Sequence, residues 1–164
     1  MACRGVYFAI TDKDAARLLS AKSDDEVLTL IQTEIEEKWD EGWLCETDKA
    51  WDAIQRCLTN GKIGFENDAS PYHLCVLGGR QLHSGGNYVA ALKSPGQVED
   101  IARVLRSVTE ENLRQSYFNI DPQDYGFPIS EEDFEYTVTW FRRLPGFFEK
   151  AAAAKRWVVF TVDQ

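Results

Sequence analysis

The sequence predicts an α+β fold: one compact domain over residues 1–164, with a mixed sheet of about four strands packed against several helices. Three observations predict it. Four short runs rich in β-branched and aromatic residues have the length of buried strands. Helical stretches with good capping residues lie between them. The two kinds do not alternate strictly, as a parallel α/β sheet would require.

In chain order, VYFAI (6–10) reads as the first strand, and Thr11 caps the helix after it. Ser23-Asp24-Asp25-Glu26 has the form of a capping box, and Leu28, Ile31, Ile35 and Trp39 follow as an apolar stripe at helical spacing. Gly42 ends that element. DKAWDAIQRCLTNG (48–61) reads as a short helix capped by Asp48, with Trp51, Ile54 and Leu58 inward. Asp52 and Arg56 form an i, i+4 pair on its opposite side, and Asn60-Gly61 supplies a left-handed stop. Residues 61–71 read as loop, HLCVL (73–77) as a buried strand, 78–87 as a glycine-rich connection and NYVAAL (87–92) as another strand.

Ser94-Pro95-Gly96-Gln97 opens a helix with cap, N1 proline and N3 glutamine in place, and Thr109 caps the next. Residues 119–129 read as loop. Ser130 starts a helix that turns Phe134, Val138 and Phe141 inward, and Pro145 begins a further helix running through Ala154. WVVFTV (157–162) is the last strand. It is too apolar for an edge, which places it centrally in the sheet.

Composition narrows the function classes. The chain carries 27 acids against 18 bases, a formal net charge of −9. A phosphate-backbone binder needs the reverse, so nucleic acid is not an expected partner; a protein partner, of basic surface, fits better. Many of the acids also fall in helix first turns, where the macrodipole favours them without any partner. No apolar run approaches a membrane span or follows the pattern of a signal peptide, so a cytoplasmic protein is expected. The spacing of Cys3, Cys45, Cys57 and Cys75 matches no metal or redox motif, which leaves reduced, mostly buried thiols as the expectation. A zinc set of Cys45, Cys57, His73 and Cys75 is the alternative, against the usual ligand spacings.

No cofactor motif is present, and none is expected. VLGGRQLHSGG follows a strand, yet it lacks both glycine fingerprints of phosphate loops. Its Arg80 and His83 nonetheless sit where a loop could offer them to a ligand. On a strand, His73 and Cys75 would share one face, side by side more than bonded. Ser84 before Gly85-Gly86 does not form a nucleophile elbow. Arg4 and Asp163 could pair at one end of the sheet if the first and last strands are antiparallel neighbours. Trp39 and Trp43 bracket a turn and cover a helix end, or less simply form an aromatic shelf.

Taken in order, CRGVYFA, DKAWDAI with LTNG, CVLGG, EDFEYTVTWF and VVFTVDQ resemble the YfbM-like family of small, mainly bacterial proteins of unknown function. The resemblance runs from end to end. It implies a compact α+β domain and carries over no catalytic residue. Family members often hold a histidine where this chain has Gln55, which speaks against acid–base chemistry on this helix. Two functional expectations result. One is a protein-binding module, immunity- or adaptor-like, without catalytic activity. The other is an enzyme or small-molecule binder with a cleft formed by Arg4, Asp48, Lys49 and Trp51 on one rim and His73, Gly78, Gly79 and Arg80 on the other. The sequence leaves the oligomeric state open.

Overall fold

The computed structural model describes residues 3–64, 70–83 and 87–163. Parts of the expected loop (65–69) and of the glycine-rich connection (84–86, with Ser84) lie outside the described residues. Five strands form one sheet: β1 (Gly5–Ile10), β2 (Leu44–Asp48), β3 (Arg80–His83), β4 (Tyr88–Lys93) and β5 (Trp157–Asp163). Their order is β2-β1-β5-β4-β3, and every pair is antiparallel. The α+β class is as the sequence predicts. The parallel pairs that a mixed sheet implies are replaced by antiparallel ones: β3 and β4 are consecutive in the chain, and the helical connections after β1 and after β4 return it from the opposite end as β2 and β5.

The terminal strand is central, paired with β1 on one side and β4 on the other. Both faces of the sheet are covered, which explains why β1, β4 and β5 read as nearly continuous apolar runs. One face turns Tyr7, Ala9, Cys45, Val89, Val158, Phe160 and Val162 into the larger core. That core is closed by α3 (Trp51–Leu58), α5 (Pro95–Leu105), α6 (Glu110–Phe118), α8 (Glu131–Phe141) and α9 (Leu144–Ala153). The other face sets Val6, Phe8, Ile10, Leu82, Ala90, Leu92 and Val159 against α1 (Asp12–Ser20), α2 (Asp24–Leu30) and a π-helical stretch, Ile31–Glu36. Gly5 marks a close approach of three side chains to the start of β1. A Cβ there would lie 2.8 Å from Thr47 Oγ1, 2.8 Å from Trp51 Cδ1 and 2.9 Å from Phe160 Cε2.

The caps at Thr11, Ser94, Thr109 and Ser130 form as expected, and α9 starts one residue before Pro145. Ser23 accepts from the Glu26 amide, but the Glu26 carboxylate bonds the Lys22 amide, so the box is displaced by one residue. The π-helical widening moves the stripe behind it: Val27, Ile31 and Ile35 are buried, and Trp39 is exposed with its ring edge-on to Phe8. The loop at 119–129 contains one helical turn, α7 (Pro122–Tyr125), which Asp121 caps and left-handed Gly126 ends.

Two expected elements are corrected. HLCVL is not a strand. Pro71–Leu74 forms a short helix, α4, and Cys75, Val76 and Leu77 continue as a buried turn. A short apolar run reads alike as buried strand or buried turn, and Pro71 at N1 was the signal for the helix. His73 and Cys75 therefore do not share a strand face. Asp48 does not cap α3. It ends β2 with φ +46°, and the helix starts at Trp51 with no side-chain cap. β2 and β3 are edge strands with only one or two buried side chains each, too faint a pattern to stand out in the sequence.

Candidate functional site

The first rim of the expected cleft exists as a group. Arg4 Nε lies 3.6 Å from Asp48 Oδ1, and the Tyr136 hydroxyl donates to Asp48 Oδ2 at 2.8 Å. The Lys49 amide donates to the same hydroxyl at 3.3 Å, and Trp51 Nε1 donates to the Cys3 carbonyl at 3.0 Å. Arg4 thus pairs with Asp48, not with Asp163, although β1 and β5 are antiparallel neighbours. The exposed Arg4–Asp48 pair contributes little to stability; the Tyr136 bonds tie β2 to α8.

The second rim lies elsewhere. Asp48 is on edge strand β2 and Arg80 on the opposite edge strand β3, four strand spacings away, or about 19 Å. His73, Gly78 and Gly79 belong with Arg80, and their geometry is that of a tight turn. A Cβ on Gly78 would sit 2.4 Å from the His73 carbonyl oxygen, and Gly79 has φ +101° with a Cβ position 2.5 Å from the Leu92 oxygen. These glycines permit close backbone contact. The two rims do not face one another across a cleft.

The most polar interior groups were not legible as such. Arg56, read as a solvent-side partner of Asp52, is buried. Its Nε donates to Asp52 Oδ1 at 2.6 Å, its Nη1 to Asp124 Oδ2 and to the Gly61 carbonyl, and its Nη2 to the Asp124 carbonyl at 3.2 Å. Burial raises the Asp52 carboxyl against the opposing pull of Arg56. Beside it, Asp133 Oδ2 accepts from both Tyr117 (2.6 Å) and Tyr125 (2.8 Å), and burial followed by that carboxylate pushes both phenols up. No sequence signal joins Arg56 to a residue 68 positions away.

Lys93 is the second such group. It shares the inner face with Val89 and Ala91, so period-two alternation marks it as buried. Its Nζ donates to the carbonyls of Val76 (2.8 Å), Gly78 (2.9 Å) and Ala91 (3.4 Å). Burial lowers it to about 7.

The cysteines are free thiols. Burial pushes Cys45 up to about 11 and Cys57 and Cys75 up to about 12, so none of these three is a ready thiolate. Among the described residues, no three His, Cys, Asp or Glu side chains converge as metal ligands, and the zinc set does not assemble. Open hollows flank the fold. One, of about 340 Å³, lies between β2 and α9 and is walled by Glu41, Glu46, Arg143 and Lys150. Lys150 and Arg156 both stack on Trp43, with the ammonium 4.4 Å and the guanidinium 3.6 Å from the ring centroid. The expected turn cover at Trp43 is therefore a cation-stacked one.

The surface around α6, α7 and α8 is different in kind. Residues 110–135 hold eight carboxylates and one arginine, so they carry −7 of the chain's −9. They also hold Phe118 and Phe127, 41% and 59% exposed, two of the three large hydrophobics on the surface among the described residues. A run of ring contacts joins them: Phe118 to Tyr117, Tyr117 to Tyr125, and Tyr125 to Phe127, at 5.1, 6.5 and 5.4 Å between centroids. Arg114 lies over Phe118 and Phe134 at 5.0 and 5.1 Å, and Glu131 pairs with it. Among the described residues, no helix is long and apolar enough to cross a membrane.

An antiparallel five-stranded sheet with helices on both faces, closed polar clusters and an acidic aromatic surface defines an α+β protein. The family follows from comparison: residues 1–161 match the domain of unknown function DUF1877, and the chain belongs to that family. It is similar to the crystal structure of YfbM from Escherichia coli, a protein of unknown function, with a TM-score of 0.69, 19% identity and 99% of each chain covered. At that identity the likeness shows the fold alone. No curated protein matches the chain.

Proposed function

We propose that this chain is a protein-binding module without catalytic activity, and that it meets a basic partner through the α6–α8 surface. One observation carries the reading: the segment that concentrates −7 of net charge also exposes two phenylalanines. Exposed aromatics supply the buried area of an interface, and a ring of one charge sign supplies orientation and on-rate. An adaptor- or immunity-like role suits such a surface. Against an enzymatic reading stand the buried thiols of Cys45, Cys57 and Cys75, held protonated, and the charged groups Arg56, Lys93 and Asp133, each occupied by internal hydrogen bonds.

The test is affinity capture from native lysate with the wild type and with Phe127→Ser/Glu132→Lys, two exposed substitutions. A stoichiometric partner of basic charge should co-purify with the wild type and be lost with the variant, while circular dichroism and thermal unfolding of the variant stay unchanged. Failure to recover any partner, or equal recovery by both proteins, refutes the reading.

A further inference from the structure

We infer that the partner offers an arginine to this surface, and that its guanidinium seats over the ring of Phe127; this rests on the protein-binding reading above. The chain displays the arrangement on itself. Arg114 lies over Phe118 and Phe134 with Glu131 pairing to its guanidinium. Arg56 covers Tyr125 at 5.6 Å from the interior, with Asp124 as its carboxylate. Arg143 covers Trp140 at 4.4 Å, and Arg156 covers Trp43 at 3.6 Å. Most of the described cation–ring contacts are made by a guanidinium; the others are the ammonium groups of Lys93 at Phe160 and Lys150 at Trp43.

Phe127 departs from that pattern. It is the most exposed large hydrophobic among the described residues, and no described cation lies over its ring. Its one described ring contact is with Tyr125, inclined at 62°. The carboxylates close to it in the sequence are partly unspent. Asp124, three residues earlier, is half exposed and gives only Oδ2 and its carbonyl to Arg56. Glu132, in the first turn of α8, is exposed and makes no described hydrogen bond or ion pair. An aromatic face with nearby carboxylates is the chemistry that seats a guanidinium. A lysine can also lie over a ring, as Lys150 does at Trp43, but its ammonium is more strongly hydrated and lacks the planar fork that meets a ring face and a carboxylate together. The occupant is therefore an arginine-bearing protein segment with an apolar neighbour to lie against Phe118.

The test uses fluorescence anisotropy with two labelled 12-residue peptides, identical except that every arginine of one is lysine in the other, and a third with citrulline at those positions. The wild-type chain should bind the arginine peptide about three- to fivefold more tightly than the lysine peptide, the range an exposed cation–π contact supplies. The citrulline peptide should bind weakest. In Phe127→Leu, which keeps the apolar surface but removes the ring, the arginine preference should fall to none while salt-sensitive binding of both basic peptides persists. Equal binding of the arginine and lysine peptides by the wild type, or an unchanged preference in Phe127→Leu, overturns the arginine seat and leaves the acidic binding face standing. Absence of binding by either basic peptide overturns both.

Discussion

Lys93 sets two opposed effects against each other, and a pH series decides between them. Burial favours the neutral amine and lowers Lys93 to about 7, against an ordinary value of 10.5. The three carbonyls around Nζ favour the ammonium, whose three hydrogens they match one for one. If burial wins, the unfolded chain holds a proton between about pH 7 and 10.5 that the folded chain has released. Folding stability contributed by Lys93 then rises with pH, by at most about 1.4 kcal/mol per unit, starting near 7 and levelling off near 10.5. Below 7 both states are protonated and the contribution is flat at its minimum.

The perturbation is Lys93→Met, which keeps the length and apolar stem and removes the titrating group. It also strips the Val76 and Gly78 carbonyls of the donor that Nζ supplies, and no backbone N–H replaces it. That loss costs about 1–3 kcal/mol per buried acceptor. It is offset in part by relief of the buried amine, so the pH dependence is more diagnostic than the mean. The assay is urea unfolding of both proteins from pH 6 to 9.5. Taking the difference between them cancels other titrations, including the buried thiols that weaken the fold above pH 9. The wild-type advantage should grow steadily above pH 7. A difference that stays constant across the range would show that the carbonyl cage keeps the ammonium charged, and would refute the argument from burial.

Three other outcomes test the interior. Arg56→Met should destabilise by about 3 kcal/mol in chemical denaturation, because it leaves the partly buried Asp52 and the Gly61 carbonyl unpaired; Arg56→Lys should recover only part of this, lacking the fork. Gly5→Ala should cost about 1–3 kcal/mol by overpacking between Thr47, Trp51 and Phe160, with the loss visible as a lowered thermal midpoint. Gln55 is buried, with its Oε1 accepting from the Leu77 amide at 3.3 Å. In Gln55→His, a neutral imidazole can retain that acceptor, so stability should stay near wild type at pH 8 and fall as pH drops through about 6.5, where protonation removes it. A variant equally stable at pH 8 and pH 5.5 would refute that role for residue 55.

The longer helices and the inner strands were legible in the sequence because each carries a local signal. Ser94-Pro95-Gly96-Gln97 and Ser130 fix their helix starts by short-range hydrogen bonds, and the 157–162 run is apolar enough to demand the middle of the sheet. The misread segments are those whose conformation depends on distant contacts. Asp48 looks like a helix cap, but pairing of Leu44–Phe8 and Cys45–Tyr7 draws it into β2, and Tyr136, 88 residues on, takes up its carboxylate. HLCVL looks like a strand, but the Gln55 and Lys93 side chains satisfy its turn backbone. The expected cleft divided for the same reason. Its residues were grouped by chemical type, and only sheet order tells which edge each one occupies.

The acidic surface raises the harder question of whether its charges have any collective purpose, since local roles cover most of them. Glu110 pairs with Arg142, Glu111 accepts from Gln115, Asp121 caps α7, Asp124 clamps Arg56, Glu131 pairs with Arg114, and Asp133 receives two phenols. Local stability therefore accounts for carboxylates at these positions. It does not account for the sparing use of cations among them. A helix first turn is stabilised by an acid, but nothing in the macrodipole forbids a lysine one turn later, and an i, i+4 partner there would add stability and reduce the repulsion of a −7 segment. Nor does it account for Phe127, which contributes little burial while exposed in that field. A chain selected only to fold would gain from neutralising the segment and making residue 127 polar. Reversing both in one variant, Phe127→Ser with Glu132→Lys, should therefore leave unfolding unchanged or slightly improved while abolishing partner capture. A clear loss of stability in that variant would return the whole surface to a structural explanation.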